Sequence, residues 1–188
     1  MLTQPTLHTE RLTLRPFGLA DADIVQELAG AYEVALNTST IPHPYPPGGA
    51  AMWIGTHQAE FEAGDAVTFA VTRQGGEHLI GAMGLSISRE HRRAELGYWI
   101  GVPYWGQGYA TEAAQAVVAY GFRALDLLRI TATHFARNPA SGRVMQKIGM
   151  TREGCLRSHI LRCGEPQDLV MYGILAQEWW ALPGASAS

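Results

Sequence analysis

Apolar residues recur along this chain with two periods, and the switches between them predict its elements. Near the N-terminus Leu12 and Leu14 alternate with Thr13 and Arg15 until Pro16 stops the run, which predicts a strand over residues 7–15. Ile24, Val25 and Leu28 then fall at helical spacing, with Asp21 placed to cap the helix and Gly30 to end it. Residues 41–49 carry four prolines, which exclude a helix or a central strand, so this segment reads as a loop long enough to shape a pocket. A helix over residues 50–63 follows. Alternation returns in residues 66–72, 79–88 and 93–101, with Gly75-Gly76 joining the first two, which is the pattern of an antiparallel meander.

From residue 108 to about 125 the period is helical again. Ala110, Ala113, Ala114, Val117, Gly121 and Ala124 share a face of mostly small residues that permits close packing on a sheet. A strand over residues 130–135 precedes Asn138-Pro139, a cap and first-turn signal. Ala140, Val144 and Ile148 then line one helix face, and Gly149 stands where a helix end favours a left-handed residue. Strands around residues 151–160 and 168–175 complete the pattern before a tail whose Trp179 and Trp180 read as apolar closure. The expectation is an α/β (α+β) fold with a mixed sheet. It forms one domain over residues 1–188, with a core over 7–176 and a C-terminal tail over 177–188.

Composition narrows the function. Apolar residues make up 47% of the 188 residues and charged residues 16%, which suits a folded core and not a disordered chain. A net charge of −3 supplies no whole-chain positive field, so no nucleic-acid partner is expected. No apolar run approaches the ~18–20 residues of a membrane helix and the first residues lack a signal-peptide pattern, so a cytoplasmic protein without a membrane partner is expected. Cys155 and Cys163 make no disulfide framework and are expected as reduced thiols. The histidines show neither HxxxH nor HExxH spacing, so no metal is expected.

The sharpest local signal is Gly106-Gln107-Gly108-Tyr109-Ala110-Thr111, between a strand and a small-residue helix. Glycines let backbone N–H groups converge and the helix start adds the positive end of its dipole, so the loop can cradle a pyrophosphate. The same residues also fit a plain strand-to-helix turn. Against a dinucleotide fold stand Thr111 in the place of a third glycine and a preceding strand that belongs to a meander.

The runs AELGYWIGVPYWGQGYATEA (residues 94–113), ARNPASGRVMQKIGM (136–150) and REGCLR (152–157), with the opening LHTERLTLRPF, resemble the GCN5-related N-acetyltransferase (GNAT) superfamily. Within it they are most similar to the RimJ/RimL-like branch of ribosomal-protein N-acetyltransferases. The resemblance implies a GNAT fold of about seven strands splayed between two central ones, with about four helices. It implies acetyl-CoA as co-substrate, with its pyrophosphate on Gly106 to Thr111 and its pantetheine arm on Trp99, Ile100, Gly101 and Val102, where Asn138 adds a hydrogen bond. Trp105 stands where the family pattern has Arg or Gln. It further implies that Ser141 donates to the departing thiolate. The acceptor it implies is a protein N-terminal α-amine, attacked directly in a ternary complex. A small amine such as a polyamine, amino acid or aminoglycoside is the alternative acceptor, and a non-catalytic acyl-CoA-binding sensor the alternative function. Monomer and homodimer stay equally open.

The chemistry asks for a base, an oxyanion donor and a thiolate donor. Glu95 is the candidate base, provided burial raises its pKa from the ordinary ~4.3. The alternative is a surface glutamate beside Arg92 and Arg93. Backbone N–H near Ile100 is the candidate oxyanion donor, and Asn138 also suits a helix cap. Some relatives place a carboxylate on the late strand, where this chain has Ser158, His159 and Ile160, which makes His159 a second candidate base. His43 and Tyr45, in the proline loop, are candidate rim residues of the acceptor pocket.

Overall fold

The computed structural model describes residues 3–76 and 78–184. Its elements in chain order are β1 (Leu7–His8), β2 (Leu12–Arg15), α1 (Ala22–Gly30), α2 (Tyr32–Leu36), α3 (Gly49–Ala63), β3 (Ala66–Arg73), β4 (Leu79–Ser88) and β5 (Arg93–Ile100). There follow α4 (Tyr109–Arg123), β6 (Arg129–Phe135), α5 (Pro139–Lys147), β7 (Thr151–Arg162), β8 (Glu165–Leu175) and α6 (Ala176–Trp180). The strands form one eight-stranded sheet in the order β1-β2-β3-β4-β5-β6-β8-β7. Every pairing is antiparallel except β5 with β6.

Several details depart from the sequence pattern for local reasons. The expected strand over 7–15 is a hairpin, because Glu112 of α4 collects Thr9 Oγ1 at 2.6 Å and the Arg11 N–H at 2.8 Å and draws residues 9–11 out of line. Asp21 does not cap α1 with its side chain. Its carboxylate instead accepts from Arg15 at 2.7 and 2.8 Å and from the Gly18 N–H at 2.9 Å. Burial alone would raise the Asp21 carboxyl, but the Arg15 and Gly18 hydrogen bonds outweigh it and hold the group below the usual carboxylate range. The described residues hold six α-helices where four were expected, the additions α2 and α6 being five residues each and too short to show a period.

Helices cover both faces. On one, α4 and α5 enclose a core that includes Phe69, Leu85, Val117, Ile130 and Met145. Gly121 lets α4 approach closely, since a Cβ would come within 2.8 Å of Ile130 Cδ1 and push that methyl aside. Ala124 and Ala140, expected on buried helix faces, are exposed, while Gly142 and Met145 join Ile148 beneath α5. On the other face α1 and α3 cover Ala70, Ala82 and Trp99. Trp179 closes the C-terminal end against Phe122 at 5.4 Å, whereas Trp180 stays 45% exposed.

The feature that makes a site is the break between β5 and β6. They pair only at Arg93↔Arg129, Ala94↔Ile130 and Glu95↔Thr131, although β5 continues to Ile100 and β6 to Phe135. Past Glu95 the two halves of the sheet diverge. The Gly101 N–H donates to Ile80 O on the β4 side at 2.9 Å, so by strand alternation the main-chain groups of Ile100 and Tyr98 turn toward the gap. Ala94, in the same phase, accepts from Thr131 Oγ1 of β6 at 3.3 Å.

Candidate functional site

Two cavities open on the diverging strands, of about 600 Å³ and about 420 Å³. They share Asn37, Thr38, Tyr98, Trp99 and Ser141 as lining, so they meet at one junction.

The smaller cavity has the glycine loop at one end. Gly106 (φ 75°) and Gly108 (φ 83°) are left-handed, a conformation that favours glycine, and a Cβ on Gly106 would meet nothing within 4 Å. The need there is conformational. Gly106, Gly108, Tyr109, Ala110 and Thr111 line the cavity where the 15-residue α4 begins with free N–H groups. Arg143 and Lys147, one turn apart on α5, line the same cavity. Helix start, left-handed glycines and two cations form a donor set that suits a phosphorylated ligand. Toward the junction the unpaired β5 backbone offers Ile100 N–H and both groups of Tyr98, since Ile100 O already accepts from Trp105 Nε1 at 2.6 Å. These groups fit the amides of a pantetheine arm.

Of the four residues expected along a pantetheine arm, Ile100 turns its main chain to the gap, and the other three stand differently. Trp99 turns its main chain to Ala82 of β4 and is part of the lining of both cavities. Gly101 is buried against Leu28, Val102 is exposed, and neither lines either of the two cavities. Gln107 also faces away, its side chain donating to Pro103 O at 3.1 Å and its carbonyl accepting from Arg11 at 3.1 Å. The displacement follows from strand phase, which a residue count alone does not supply.

At the junction Ser141 Oγ lies 2.6 Å from Tyr98 Oη, and Ser141 O lies 3.3 Å from the same phenol. Burial pushes the Tyr98 phenol up to about 12, against the smaller opposing effect of its hydrogen bond with Ser141. Tyr98 is thus a protonated donor at neutral pH. Asn138 caps α5, its Oδ1 accepting from the Ser141 N–H at 3.3 Å, and it lines the smaller cavity as well.

The larger cavity has a floor of small residues. Ala66, Ser86 and Glu95 lie abreast on β3, β4 and β5, as do Thr68, Gly84 and Gly97. Tyr45, Trp53 and Trp99 wall one side, and burial raises the Tyr45 phenol. Glu95 lines this cavity and accepts from Thr133 Oγ1 at 3.2 Å, but it is exposed and not buried as the sequence reading required. Small neighbours leave it open to solvent. Glu60 of α3 also lines the cavity, half-buried.

Two expected residues lie elsewhere. His43 is exposed and turned outward, with Nδ1 3.2 Å from Gly30 O and its ring on Tyr32, leaving Tyr45 to form the rim. His159 lies on the exposed β7 where the register shifts between Leu156 and Ile160, and it lines neither cavity. Tyr98, Asn37, Thr38, Glu60, Arg143 and Lys147 were not singled out from the sequence. Only the basic pair on α5 carried a readable signal, an i, i+4 spacing on the helix that holds Ser141.

Among the described residues no group of three or more His, Cys, Asp or Glu side chains is gathered as a metal site requires. No described helix is long and apolar enough to cross a membrane. Cys155 and Cys163 are free and exposed.

Residues 11–151 match the family described as an acetyltransferase (GNAT) domain. The uncharacterized N-acetyltransferase YoaA of Bacillus subtilis (strain 168) is 34% identical over 177 residues, covering 91% of this chain and 97% of the relative. The [ribosomal protein uS5]-alanine N-acetyltransferase of Escherichia coli (strain K12) is 27% identical over 139 residues, covering 73% of this chain and 71% of the relative. Among solved structures, a RimL ribosomal L7/L12 α-N-protein acetyltransferase in complex with coenzyme A superposes with a TM-score of 0.83 at 19% identity. It covers 91% of this chain and 98% of that one, a likeness of fold. A mostly antiparallel sheet parted between β5 and β6, a glycine loop at the head of α4 and a family match over most of the length agree. The chain belongs to the GNAT acetyltransferase family and is an acetyl-CoA-dependent N-acetyltransferase.

Proposed function

We propose that this enzyme acetylates a protein N-terminal α-amine by direct attack in a ternary complex. The observation that carries the reading is the meeting of the two cavities at Ser141 and Tyr98. Acetyl-CoA supplies the acetyl thioester, with its phosphates toward Gly106 to Thr111, Arg143 and Lys147 and its reactive end at the junction. The acceptor amine enters from the larger cavity.

Each role rests on placement. Glu95, through water, takes the proton that the ammonium must lose to become a nucleophile. The Ile100 N–H faces the gap and donates to the carbonyl oxygen as negative charge grows there. The amine nitrogen bonds to the acetyl carbon, the carbon–sulfur bond breaks, and the second proton that the nitrogen sheds is taken up by the departing thiolate. Ser141 donates to the departing sulfur, aided by the start of α5, while Tyr98 donates to Ser141 Oγ and keeps the serine proton directed away from itself. The 2.6 Å distance to Oγ, shorter than the 3.3 Å to the carbonyl, favours this orientation of the phenol.

The α-amine acceptor is supported by the names of the Escherichia coli relative and of the RimL structure. A second reading, a small cationic amine, is favoured by Glu60 and Glu95 lining one cavity of about 600 Å³. Thiol release from acetyl-CoA against N-terminal peptides, polyamines, amino acids and aminoglycosides decides between them. Stimulation by peptides and not by their N-blocked forms is the expected result. Turnover confined to small amines overturns the α-amine reading, and coenzyme A binding without turnover on any acceptor favours a sensor.

A further inference from the structure

Residues 36–41 form a strap that begins on one side of the parted sheet and is held from the other. Its N-terminal end leaves α2, which packs with α1 on the β1–β5 side. Asn37 and Thr38 on the strap line both cavities and so roof the junction. Two arginines from beyond the gap grip the main chain on either side of them. Arg162, at the end of β7, donates through Nε to Ala35 O at 3.0 Å and through Nη2 to Ala35 O at 2.5 Å and to Ile41 O. Arg137, between β6 and α5, donates to Leu36 O at 2.5 Å and stacks over Phe135 at 5.1 Å.

Other α2 carbonyls are met within the strap itself, Glu33 O by Asn37 Nδ2 at 2.9 Å and Val34 O by Thr38 Oγ1 at 3.1 Å, and the same hydroxyl also reaches Ala35 O at 3.2 Å. Asn37 and Thr38 are therefore fixed by local bonds, and the fixed unit is tied across the gap by the arginines alone among the described side-chain hydrogen bonds to residues 35–41. Arg162 is half-buried and has no carboxylate partner among the described residues; it donates to Ala35 O at the end of α2, where positive charge is favoured, and to Ile41 O further along the strap. Ordering a roof over a ligand site before binding removes part of the entropy cost of binding.

We propose that Arg162 and Arg137 are positioning residues that clamp the 36–41 strap over the junction and so set the affinity for both substrates. The inference rests on the reading of the two cavities as cofactor and acceptor sites. Neither arginine touches the reacting groups, so loss of the clamp falls on binding and not on chemistry.

The test compares wild type with Arg162→Ala, Arg162→Lys, Arg137→Ala and the Arg137→Ala/Arg162→Ala pair, each confirmed as folded by its melting transition. Coenzyme A affinity and dissociation rate are measured directly, with KM and kcat for acetyl-CoA and the best acceptor. The expected result for Arg162→Ala is a rise of about tenfold in coenzyme A Kd and in both KM values, with kcat within about twofold. Lysine, which keeps the charge but cannot fork to two carbonyls, restores part of the loss. Arg157→Ala, exposed on the same strand, serves as the control and leaves all values unchanged. A folded double variant with wild-type Kd and KM, or one in which kcat alone falls, overturns the clamp. Wild type that fails to bind coenzyme A overturns the site reading instead, and the clamp with it.

Discussion

The smaller cavity and the larger one are built by different means. The first is made chiefly of backbone: two left-handed glycines, the opening N–H groups of α4 and the unpaired edge of β5, most of it within residues 98–111. The second is made of side chains gathered from α1, the proline loop, α3 and five strands, between Ala29 and Leu169. A ligand-binding surface made from backbone tolerates change in side chains, whereas one assembled from scattered side chains can be retuned one residue at a time. The contrast suits an enzyme with a fixed co-substrate and an acceptor that differs among relatives.

The sharpest way to break the comparison is at the junction, which belongs to both cavities. Ser141→Ala is expected to lower kcat by about 10²–10³, the usual scale for removing one donor from a developing charge. Tyr98→Phe keeps the ring packed but loses the phenol, and a fall in kcat of about tenfold with little change in either KM is expected. A Tyr98→Phe rate equal to wild type would detach Tyr98 from the chemistry.

Next in size are paired changes that separate the two walls. Arg143→Ala with Lys147→Ala should raise the KM for acetyl-CoA about tenfold, more at low salt than at high, and leave the acceptor KM alone. Glu60→Gln should do the reverse for a cationic acceptor, with a smaller rise of about threefold to fivefold because the carboxylate is half-buried and partly screened. Steady-state kinetics with each substrate varied in turn reads both. If either change moved both KM values equally, the cavities would not be independent sites.

The same contrast governs what the sequence disclosed. The glycine loop, the Asn138 cap and Ser141 occupy short segments whose turn chemistry is local, and the structure places them at the smaller cavity. The meander and both long helices were equally legible, because each repeats its period over many residues. Tyr98 was hidden because its neighbour Ser141 lies 43 residues away, and only the folding of α5 over the gap brings them together. Which main-chain groups of β5 face the gap is set by strand phase, which the Gly101-to-Ile80 hydrogen bond fixes and alternation alone does not. Glu95 shows the limit from the other side. Its place on the cavity floor follows from the strand, but its exposure follows from Gly84, Gly97 and Ser86 on that floor, whose small size mattered only once they were neighbours.

The smallest expected effect lies behind the wall of the larger cavity. His57 of α3 is 7% exposed and packed against Phe17 and Trp53 at 5.2 and 4.5 Å, and neither ring nitrogen has a hydrogen-bond partner among the described residues. Burial lowers its pKa, and the nearby Glu60 only partly opposes this. A histidine held neutral in the fold takes its proton first in the unfolded chain. Stability is therefore full above the unfolded value of ~6.5 and declines as pH falls below it, until the lower folded pKa is reached. His57→Leu removes two orphaned nitrogens as well as the titration. It should raise the melting temperature at pH 7 by the equivalent of about 1 kcal/mol and flatten its fall between about pH 6.5 and 5. Melting curves across that window check both parts. A His57→Leu variant that loses stability at every pH would mean that the ring's packing on Phe17 and Trp53 outweighs its unmet hydrogen bonds, and an unchanged slope would assign the acid sensitivity of this wall to another group.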